Sequence, residues 1–379
     1  MTVVAGDALM GTYRRFPVTF VRGEGTTLFD DAGRAYLDFA AGIAVAQIGH
    51  AHPRWVEAVS AQAGRLAHVS NLFSTEPQVA LAERLRALLG WSRAFFANSG
   101  AEANEAALKL ARKATGRTKV VAAAGGFHGR TFATLAATGN PEKHAPFAPL
   151  PDWFTHVPYG DGAALTEAVD EDTGAVLLEP VLGEGGVVPA PPGYLEAARE
   201  ACDDAGALLV LDEVQTGVGR CGAWLAGAAA RPDIVTLAKG LAGGLPIGAC
   251  LATDEVAAAF GPGDHATTFG GGPIVCAAAL AVLDVIEDED LLANAREQGA
   301  RLLGGLKKAA PALEARGVGL LVGVELTPEV PARQVVSAAL DRGLVVTESG
   351  RNTVRLTPPL TVSAAEVDEC VSILAEVLG

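Results

Sequence analysis

Lys239 is the side chain in this sequence best suited to covalent chemistry, because it is the only lysine in a long apolar and glycine-rich stretch, residues 233–248. Burial penalises the charged ammonium, so a lysine among apolar neighbours loses proton affinity and becomes a usable amine nucleophile. Schiff-base chemistry with a carbonyl compound requires such an amine. For an isolated Lys-Gly pair, a lysine that reaches solvent from a strand end is the ordinary explanation, so the residues around it must decide.

Asp212 ends another apolar run, residues 207–212, and precedes Lys239 by 27 positions. A carboxylate at a buried strand end must be paired. A protonated heterocyclic nitrogen would serve as the partner, and so would an arginine. The sequence leaves both possibilities open.

Two turns rich in hydroxyl and small residues are candidate phosphate sites. Asn98-Ser-Gly-Ala runs directly into an alanine-rich helix, and the free N–H groups at a helix N-terminus attract anions. Ser99 could add a hydroxyl donor there or act only as a helix cap. The second turn, residues 266–273, contains Thr268 and three consecutive glycines, but a plain loop would explain it equally well.

A third glycine-containing turn, residues 125–130, presents an aromatic ring and an arginine. Its glycines allow the backbone to approach a ligand closely. Phe127 could stack on a planar ring, and Arg130 could bind a carboxylate through both guanidinium nitrogens. A packed core turn is the alternative.

Apolar runs alternate with helix-period segments, and this pattern predicts a parallel sheet covered by helices on both faces. Ligands gather at the carboxyl ends of such strands, which places Glu179, Asp212 and Lys239 at one edge. Two short strands joined by an Asp-Ala-Gly turn are expected in residues 20–38, and a smaller α+β unit from about residue 291. The expected strands are 119–122, 175–178, 208–211 and 234–237, and the expected helices are 77–89, 102–113, 193–205 and 276–286.

Composition narrows the classes of partner. The chain has 379 residues, a mass of 38.6 kDa, a net charge of −15 and a pI near 4.9. This charge argues against a nucleic-acid surface or an acidic membrane surface, since both need basic patches, and favours a small-molecule partner. The five cysteines show no metal-ligand spacing, so we expect no metal site and a reducing compartment. No signal peptide or membrane-spanning stretch is apparent, so a cytoplasmic protein is expected.

Taken together and in this order, the motifs resemble those of the class III (fold type I) pyridoxal-phosphate-dependent aminotransferases over essentially the whole chain. The resemblance implies an α/β fold with a large domain, built on a mostly parallel seven-stranded sheet flanked by helices, plus a smaller α+β domain. It divides the chain into an N-terminal segment at 1–45, a large domain at 46–285 and a small domain at 286–379. The matching motifs are Phe20-Val-Arg-Gly-Glu-Gly, Gly42-Ile-Ala-Val, Gly49-His-Ala-His-Pro, Val69-Ser-Asn-Leu-Phe, Asn98-Ser-Gly-Ala-Glu-Ala-Asn-Glu, Phe127-His-Gly-Arg-Thr, Gly183-Glu-Gly-Gly-Val, Leu211-Asp-Glu-Val-Gln-Thr-Gly and Arg355-Leu-Thr-Pro-Pro-Leu.

The resemblance also implies roles around a bound pyridoxal 5′-phosphate. Lys239 would hold the cofactor covalently and then move the proton during the reaction, while Asp212 would keep the pyridine nitrogen protonated, which keeps the ring an electron sink. Because one residue would reach the phosphate of a neighbouring subunit, a homodimer with shared active sites is expected. The remaining cofactor-binding positions are Ser99, Gly100 and Ala101 at the phosphate, Phe127 against the ring, Gln215 beside the phenolic oxygen and Thr268 across the interface.

Three residues match positions that sort substrates in the family. Arg355 would bind the α-carboxylate of 2-oxoglutarate or glutamate, Glu184 would mask Arg355 while the amine donor is bound, and Arg130 would take the other carboxylate. The expected reaction transfers the δ-amine of N-acetylornithine to 2-oxoglutarate, as in arginine synthesis. Ornithine, N-succinyldiaminopimelate, 4-aminobutyrate and a carrier-linked lysine or ornithine remain alternative donors.

Two positions depart from the pattern of the family and affect expectations about the donor. Leu182 stands where glutamine is common, and Gly272 where asparagine is common. A glutamate-1-semialdehyde aminomutase would not need the Glu184 and Arg355 pair, so the pair counts against that activity. A nucleotide-binding or purely structural α/β protein would leave Lys239 and Asp212 unexplained.

Overall fold

The computed structural model describes residues 8–378, in which strands and helices alternate along much of the chain. The strands, numbered in chain order, are β1 (Phe20–Glu24), β2 (Thr27–Asp30), β3 (Ala35–Asp38), β4 (Arg93–Ala97), β5 (Lys119–Ala123), β6 (Phe154–Val157), β7 (Thr173–Leu178), β8 (Val181–Leu182), β9 (Val188–Pro189), β10 (Leu208–Asp212), β11 (Ile234–Leu237), β12 (Gly248–Ala252), β13 (Glu314–Val318), β14 (Leu321–Glu325), β15 (Leu344–Val345), β16 (Thr347–Ser349) and β17 (Thr353–Leu356). The helices are α1 (Ala41–Ala44), α2 (Pro53–Arg65), α3 (Glu76–Leu89), α4 (Gly100–Thr115), α5 (Phe132–Ala137), α6 (Pro141–His144), α7 (Gly162–Ala168), α8 (Tyr194–Ala205), α9 (Asp254–Ala257), α10 (Pro273–Asp288), α11 (Leu291–Ala309), α12 (Ala332–Asp341) and α13 (Ala364–Leu378).

A seven-stranded sheet forms the centre of the large domain, in the order β4-β12-β11-β10-β7-β5-β6. Strand β12 runs antiparallel to both of its neighbours, and the other adjacent strands are parallel. Every residue of β7 is buried, as expected for a strand covered on both faces. The predicted mostly parallel seven-stranded α/β sheet is confirmed.

Helices cover both faces of this sheet. On one face α4 packs through small side chains, including Ala106 and Ala107, against strand residues such as Ile234. On the other face α8 packs through Ala198 and Cys202. Because alanine has almost no side chain to keep the layers apart, α4 lies close to the strands and its N-terminus is held at the sheet edge.

The carboxyl ends of the parallel strands bring the chemically interesting residues to one edge. Asp212 is the last residue of β10, Glu179 directly follows β7, and Lys239 lies two positions after the end of β11. Helix α4 begins three residues after β4. The predicted clustering of Glu179, Asp212 and Lys239 therefore follows from the topology.

Three strands, β1 to β3, form an antiparallel unit near the N-terminus, where the sequence predicted two. The difference arises at Gly25, whose φ of +54° makes a turn inside what was expected to be one strand. Strand β3 pairs in parallel with β15. This pairing joins the N-terminal segment to the C-terminal part of the chain.

The C-terminal part contains the antiparallel sheet β13-β14-β17-β16 together with α11, α12 and α13. This is the α+β arrangement that the sequence predicted from about residue 291. The boundaries 1–45, 46–285 and 286–379 stay predictions.

Arg220 joins three parts of the chain beneath the site. Its side chain is fully buried, and it donates to the carbonyl oxygens of Leu320 and Pro358 and to the side-chain oxygen of Gln47 at 2.5–3.0 Å. Burial lowers the pKa of the guanidinium to about 10. The segment around Gln47, the loop that carries Arg220 and two parts of the C-terminal region therefore all meet at one arginine.

All five cysteines are buried and free. Among residues 8–378, no helix is long and apolar enough to cross a membrane. The same residues contain no group of three His, Cys, Asp or Glu side chains placed to hold a metal ion.

Candidate active site

A cavity of about 430 Å³ opens at the carboxyl edge of the central sheet. Eight of the eleven predicted site residues line it, and the other three are Glu184, Arg355 and Thr268. The eight are Ser99, Gly100, Ala101, Phe127, Arg130, Asp212, Gln215 and Lys239.

Asp212 is a buried carboxylate held by an amide, an imidazole and a backbone N–H group. Its Oδ2 lies 2.7 Å from the Nδ2 of Asn104 and 2.9 Å from the Nδ1 of His128, and its Oδ1 accepts the backbone N–H of Val214 at 3.0 Å. Among residues 8–378, no lysine or arginine forms an ion pair with it. The arginine alternative for Asp212 is therefore ruled out within these residues, and the carboxylate is oriented toward a cavity that could hold a cationic ring nitrogen.

Asn104 is a site residue whose role the sequence did not predict. It lies one helical turn after Gly100 in α4, so it projects from the same helix face toward the sheet edge. Its Nδ2 also donates to the carbonyl oxygen of His128 at 2.8 Å, and its Oδ1 accepts from the hydroxyl of Thr236 at 2.7 Å. In the sequence, the available indication of this role was the position of a polar asparagine among alanines that are buried in the structure.

His128 and Glu179 extend this network behind Asp212. The Nδ1 of His128 contacts Asp212, while its Nε2 is buried without a hydrogen-bond partner. Glu179 accepts the backbone N–H groups of Phe127 and Gly183 at 2.8 and 3.1 Å. Burial raises the pKa of Glu179 to about 7, nearby His128 partly opposes that rise, and the Asp212 carboxylate adds to it.

Lys239 begins a short 3₁₀ turn directly after β11, and its φ of +38° lies in the left-handed region. A side chain other than glycine there costs energy, and such strain is typical of functional sites. Its Nζ forms no hydrogen bond or ion pair with another residue of the 8–378 region. Burial lowers the pKa of this amine, and the Arg355 charge lowers it further against the opposing effect of Glu184.

The first turn of α4 provides an anion site. The Ser99 Oγ caps the helix by accepting the Glu102 N–H at 3.2 Å, and its own proton remains free to donate. The N–H groups of Gly100 and Ala101 find no acceptor among residues 8–378. A Cβ on Gly100 would lie 2.8 Å from Val214, so only glycine fits there. These free donors at a helix N-terminus suit a phosphate.

Glu184 and Arg355 form an ion pair beside the cavity. Arg355 is almost fully buried, and its Nη1 also donates to the Gly183 carbonyl and to the Gln215 Oε1, both at 3.2 Å. Burial alone would raise the pKa of Glu184, but the Arg355 and Lys239 charges outweigh burial and lower it. Glu184 and Arg355 are therefore in contact, and the masking of Arg355 by Glu184 stays a prediction.

Arg130 and Thr268 differ from the other predicted residues in being exposed. The Arg130 guanidinium lies 5.4 Å from the centre of the Phe127 ring at the cavity rim. Thr268 does not line the cavity, and the Phe269 side chain next to it is 67% exposed. The single chain therefore does not bring Thr268 into its own site.

The two departures from the family pattern lie close to these regions. Leu182 is buried in β8, with its side chain near Gly125 and Gly185. Gly272 is the residue before α10, and a Cβ there would lie 3.3 Å from the carbonyl oxygen of Phe269. Leu182 thus shapes the turn that carries Phe127, and Gly272 shapes the loop that carries Thr268.

Comparison with known proteins agrees with this geometry. Residues 10–378 match the family described as aminotransferase class-III. The acetylornithine aminotransferase of Streptomyces coelicolor is 53% identical over 376 residues, which cover 98% of this chain and 93% of the relative. The crystal structure of acetylornithine aminotransferase from Elizabethkingia anophelis has a TM-score of 0.86 at 33% identity, covering 97% of this chain and 95% of the other. That of the ornithine aminotransferase from Toxoplasma gondii has a TM-score of 0.93 at 32% identity, covering 98% and 92%.

The residues at the cavity suit the cofactor of this family, pyridoxal phosphate. Lys239, an amine with a lowered pKa, supplies an attachment point. The buried Asp212 carboxylate, which has no lysine or arginine partner among residues 8–378, supplies a partner for a ring nitrogen. The N-terminus of α4, with its free N–H groups, supplies a phosphate cradle. The match also extends over almost the whole described chain rather than over the cavity alone. Site geometry and sequence likeness agree, and we conclude that this chain belongs to the class III aminotransferases, which are pyridoxal-phosphate-dependent enzymes.

Proposed function

We propose that this aminotransferase transfers the δ-amine of N-acetylornithine to 2-oxoglutarate, giving N-acetylglutamate 5-semialdehyde and glutamate in arginine synthesis. Relatives named acetylornithine aminotransferase, 47–53% identical to this chain, support the choice of donor. The observation that carries the proposal is the ion pair between Glu184 and Arg355 beside Lys239.

The ion pair explains how one cavity admits two substrates of different charge. While Glu184 neutralises Arg355, the cavity near Lys239 accepts the aminoalkyl end of a donor without a carboxylate at that position. When 2-oxoglutarate binds, its α-carboxylate replaces Glu184 on the arginine. Because the two Gly183 and Gln215 contacts hold Arg355 in place, only Glu184 has to move.

The remaining carboxylate of each substrate is assigned to Arg130 at the rim of the cavity. N-acetylornithine carries its α-carboxylate far from the reacting amine, and 2-oxoglutarate carries a second carboxylate far from the reacting carbon. Both would reach the same guanidinium, which binds carboxylates through two parallel hydrogen bonds. One exposed arginine thus serves both halves of the reaction.

Pyridoxal phosphate supplies the electron sink that makes the carbon beside the amine acidic. The Lys239 amine, whose pKa burial lowers, would take the proton from that carbon and return it later in the reaction. Asp212, oriented by its three hydrogen-bond partners, would hold a proton at the ring nitrogen. Phe127 and Gln215 would position the ring, with Ser99, Gly100 and Ala101 at the phosphate.

A panel of donors tests the proposed substrate. Single-turnover rates, read from the cofactor absorbance, are measured with N-acetylornithine, ornithine, N-succinyldiaminopimelate and 4-aminobutyrate. We expect the single-turnover rate constant, divided by the donor concentration, to be highest for N-acetylornithine. A higher value for ornithine, the substrate named for the Toxoplasma structure, would reject the proposed donor while leaving the enzyme class intact.

We also propose a homodimer in which Thr268 reaches the cofactor phosphate of the neighbouring subunit. Its exposure outside the cavity supports this, and so does the exposed apolar surface formed by Leu72, Phe73 and Phe269, whose side chains are 88%, 65% and 67% exposed. Sedimentation should give a particle of two chains, and a monomer that is fully active would contradict the shared site. The cytoplasmic location stays a prediction, which fractionation of cells would test.

A further inference from the structure

Two cations stand beside the Phe127 ring, although the sequence motifs account for only one. The Arg130 guanidinium carbon lies 5.4 Å from the ring centre, and the Lys143 ammonium nitrogen lies 5.1 Å from it. Neither forms an ion pair with an acidic residue anywhere in residues 8–378. Glu184, the acidic side chain that influences Lys143, is already paired with Arg355. Two positive charges therefore stand beside a ring that lines the cavity, without a matching anion among residues 8–378.

The position of Lys143 is fixed by the same backbone that positions Phe127. Gly125 donates to the carbonyl oxygen of Gly139 at 2.8 Å, and Gly139 donates to that of Gly126 at 3.0 Å. These bonds hold the start of the Phe127 turn against the segment leading into α6. A shift of α6 would disturb the Phe127 turn, so the ammonium is placed by the architecture of the site.

Side-chain capping fixes α6 further. The Asn140 Oδ1 accepts the N–H of Glu142 at 3.1 Å, and the Nε2 of His144 contacts the carbonyl oxygen of Thr138 at 2.6 Å. With Asn140 at one end and His144 at the other, the backbone that carries Lys143 is held next to the Phe127 turn.

The position of Lys143 beside the Phe127 ring is electrostatically unfavourable for its ammonium group. Its side chain is half-buried, and burial, followed by the positive charge of Arg130, lowers its pKa. By contrast, Lys113 and Lys119 each pair with an aspartate on the surface. A carboxylate bound between Lys143 and Arg130 would relieve this repulsion.

We propose that Lys143 is the second cation of the carboxylate subsite and, with Arg130, determines the preference for substrates that carry a carboxylate far from the reacting group. The inference deepens the proposed function and rests on it for the identity of the donor. Arg130 supplies two parallel hydrogen bonds and so fixes the orientation of the carboxylate. Lys143 supplies a compact point charge that adapts to substrates of different length.

Matched substrate pairs test this role. N-acetylputrescine is N-acetylornithine without its carboxylate, and 2-oxopentanoate is 2-oxoglutarate with a methyl group in place of the distal carboxylate. For each pair we define the selectivity as the ratio of kcat/KM for the charged substrate to that for the uncharged one. Lys143→Met should lower both selectivities about tenfold, as expected for one hydrogen bond to a charged group. Lys143→Arg should keep most of the selectivity, and Lys307→Met, which removes an exposed lysine from α11, should leave it unchanged.

A purely structural lysine, held by its contact with the Phe127 ring, gives a different result. Lys143→Met would then slow charged and uncharged substrates equally, and unchanged selectivities would overturn the inference. If the wild-type enzyme does not use N-acetylornithine, the proposed donor fails, yet the acceptor pair still decides the role of Lys143. A loss of selectivity for 2-oxoglutarate alone would support the inference in that case.

Discussion

The two sides of the cavity are built in different ways. On the sheet side, Asp212 is held by three hydrogen bonds, with Asn104, His128 and Val214. On the other side, Glu184 binds the buried Arg355 through one carboxylate oxygen, and Arg130 has no acidic partner in the 8–378 region. Asp212 therefore has redundant contacts, whereas a single oxygen holds the Glu184 carboxylate on Arg355.

This difference matches what each side has to do. A group that keeps one charge throughout a reaction is best held by several fixed donors, because no reorganisation is then required. A group that must exchange one carboxylate for another needs contacts that break at low cost. We therefore propose a fixed cofactor side, comprising Lys239 and Asp212, and an exchangeable substrate side, comprising Glu184, Arg355 and Arg130.

The largest effect is expected at Lys239. Lys239→Ala should lower single-turnover rates with the amine donor by at least about 10³-fold, because both the covalent anchor and the proton carrier are lost. The cofactor should still bind noncovalently through Asp212 and the α4 N-terminus, and borohydride should fix it to the wild type but not to the variant.

Lys307→Ala, a change at an exposed lysine, is the control for Lys239→Ala. Failure of the Lys239 variant to retain any cofactor would show that the sheet side does not bind independently of the lysine. That result would break the comparison between the two sides.

A smaller and selective effect is expected at Arg355. Arg355→Ala should lower the rate of the half-reaction with 2-oxoglutarate about 10²-fold, as expected for the loss of a buried partner of a carboxylate. The half-reaction with N-acetylornithine should change much less, because Arg355 is masked by Glu184 in that step. The two half-reactions are measured separately from the cofactor absorbance.

Arg301→Ala serves as the control for Arg355→Ala, since Arg301 pairs with Asp368 on the surface. Equal losses in both half-reactions would contradict the assignment of Arg355 to the exchangeable side.

The smallest effect concerns stability on the sheet side. Burial raises the pKa of Glu179 from 4.5 to about 7, so the folded protein holds this proton more tightly than the unfolded chain does. The associated stability is fully present below pH 4.5 and is lost as the pH rises through 7. In cofactor-free protein, the unfolding free energy of the wild type minus that of Glu179→Gln should therefore fall by on the order of 2 kcal/mol across this range.

Denaturant unfolding at several pH values measures the Glu179 effect. The Glu179→Gln variant keeps one acceptor oxygen and so loses one of the two backbone hydrogen bonds, but that loss adds an offset that does not vary with pH. Glu171→Gln, a change at an exposed glutamate, is the control. A difference that stays constant with pH would indicate that folding does not raise the pKa of Glu179, and the sheet side would then carry a second negative charge near pH 7.

The sequence predicted the strands that end at the site because their apolar runs are continuous. The observed β11 has the predicted bounds, and β5, β7 and β10 differ by at most two residues at either end. Strand β12 was not individually predicted, since its residues Gly-Ala-Cys-Leu-Ala have little strand preference and are selected by burial between two neighbours. Strand β13 was also missed, because its Glu, Arg and Gly residues break the apolar pattern.

Within the site, sequence reasoning found residues that stand in glycine-rich or apolar motifs and missed those that act through tertiary contacts. Lys239 and Asp212 interrupt apolar runs and are visible at once. Asn104 reaches the site because the sheet positions α4. Lys143 reaches the Phe127 ring because the pairing of Gly125 with Gly139 positions α6. The sequence does not contain that information locally.

Arg220 has a consequence for how the molecule melts. Its guanidinium is buried and forms no ion pair with a carboxylate of residues 8–378, and it depends on oxygen atoms from Gln47, Leu320 and Pro358. Detachment of the C-terminal part would leave a buried charge short of acceptors, at a cost of several kcal/mol. The segment around Gln47 and the C-terminal part are therefore coupled thermodynamically to the loop that follows Asp212, and heat should disrupt all three cooperatively rather than one at a time.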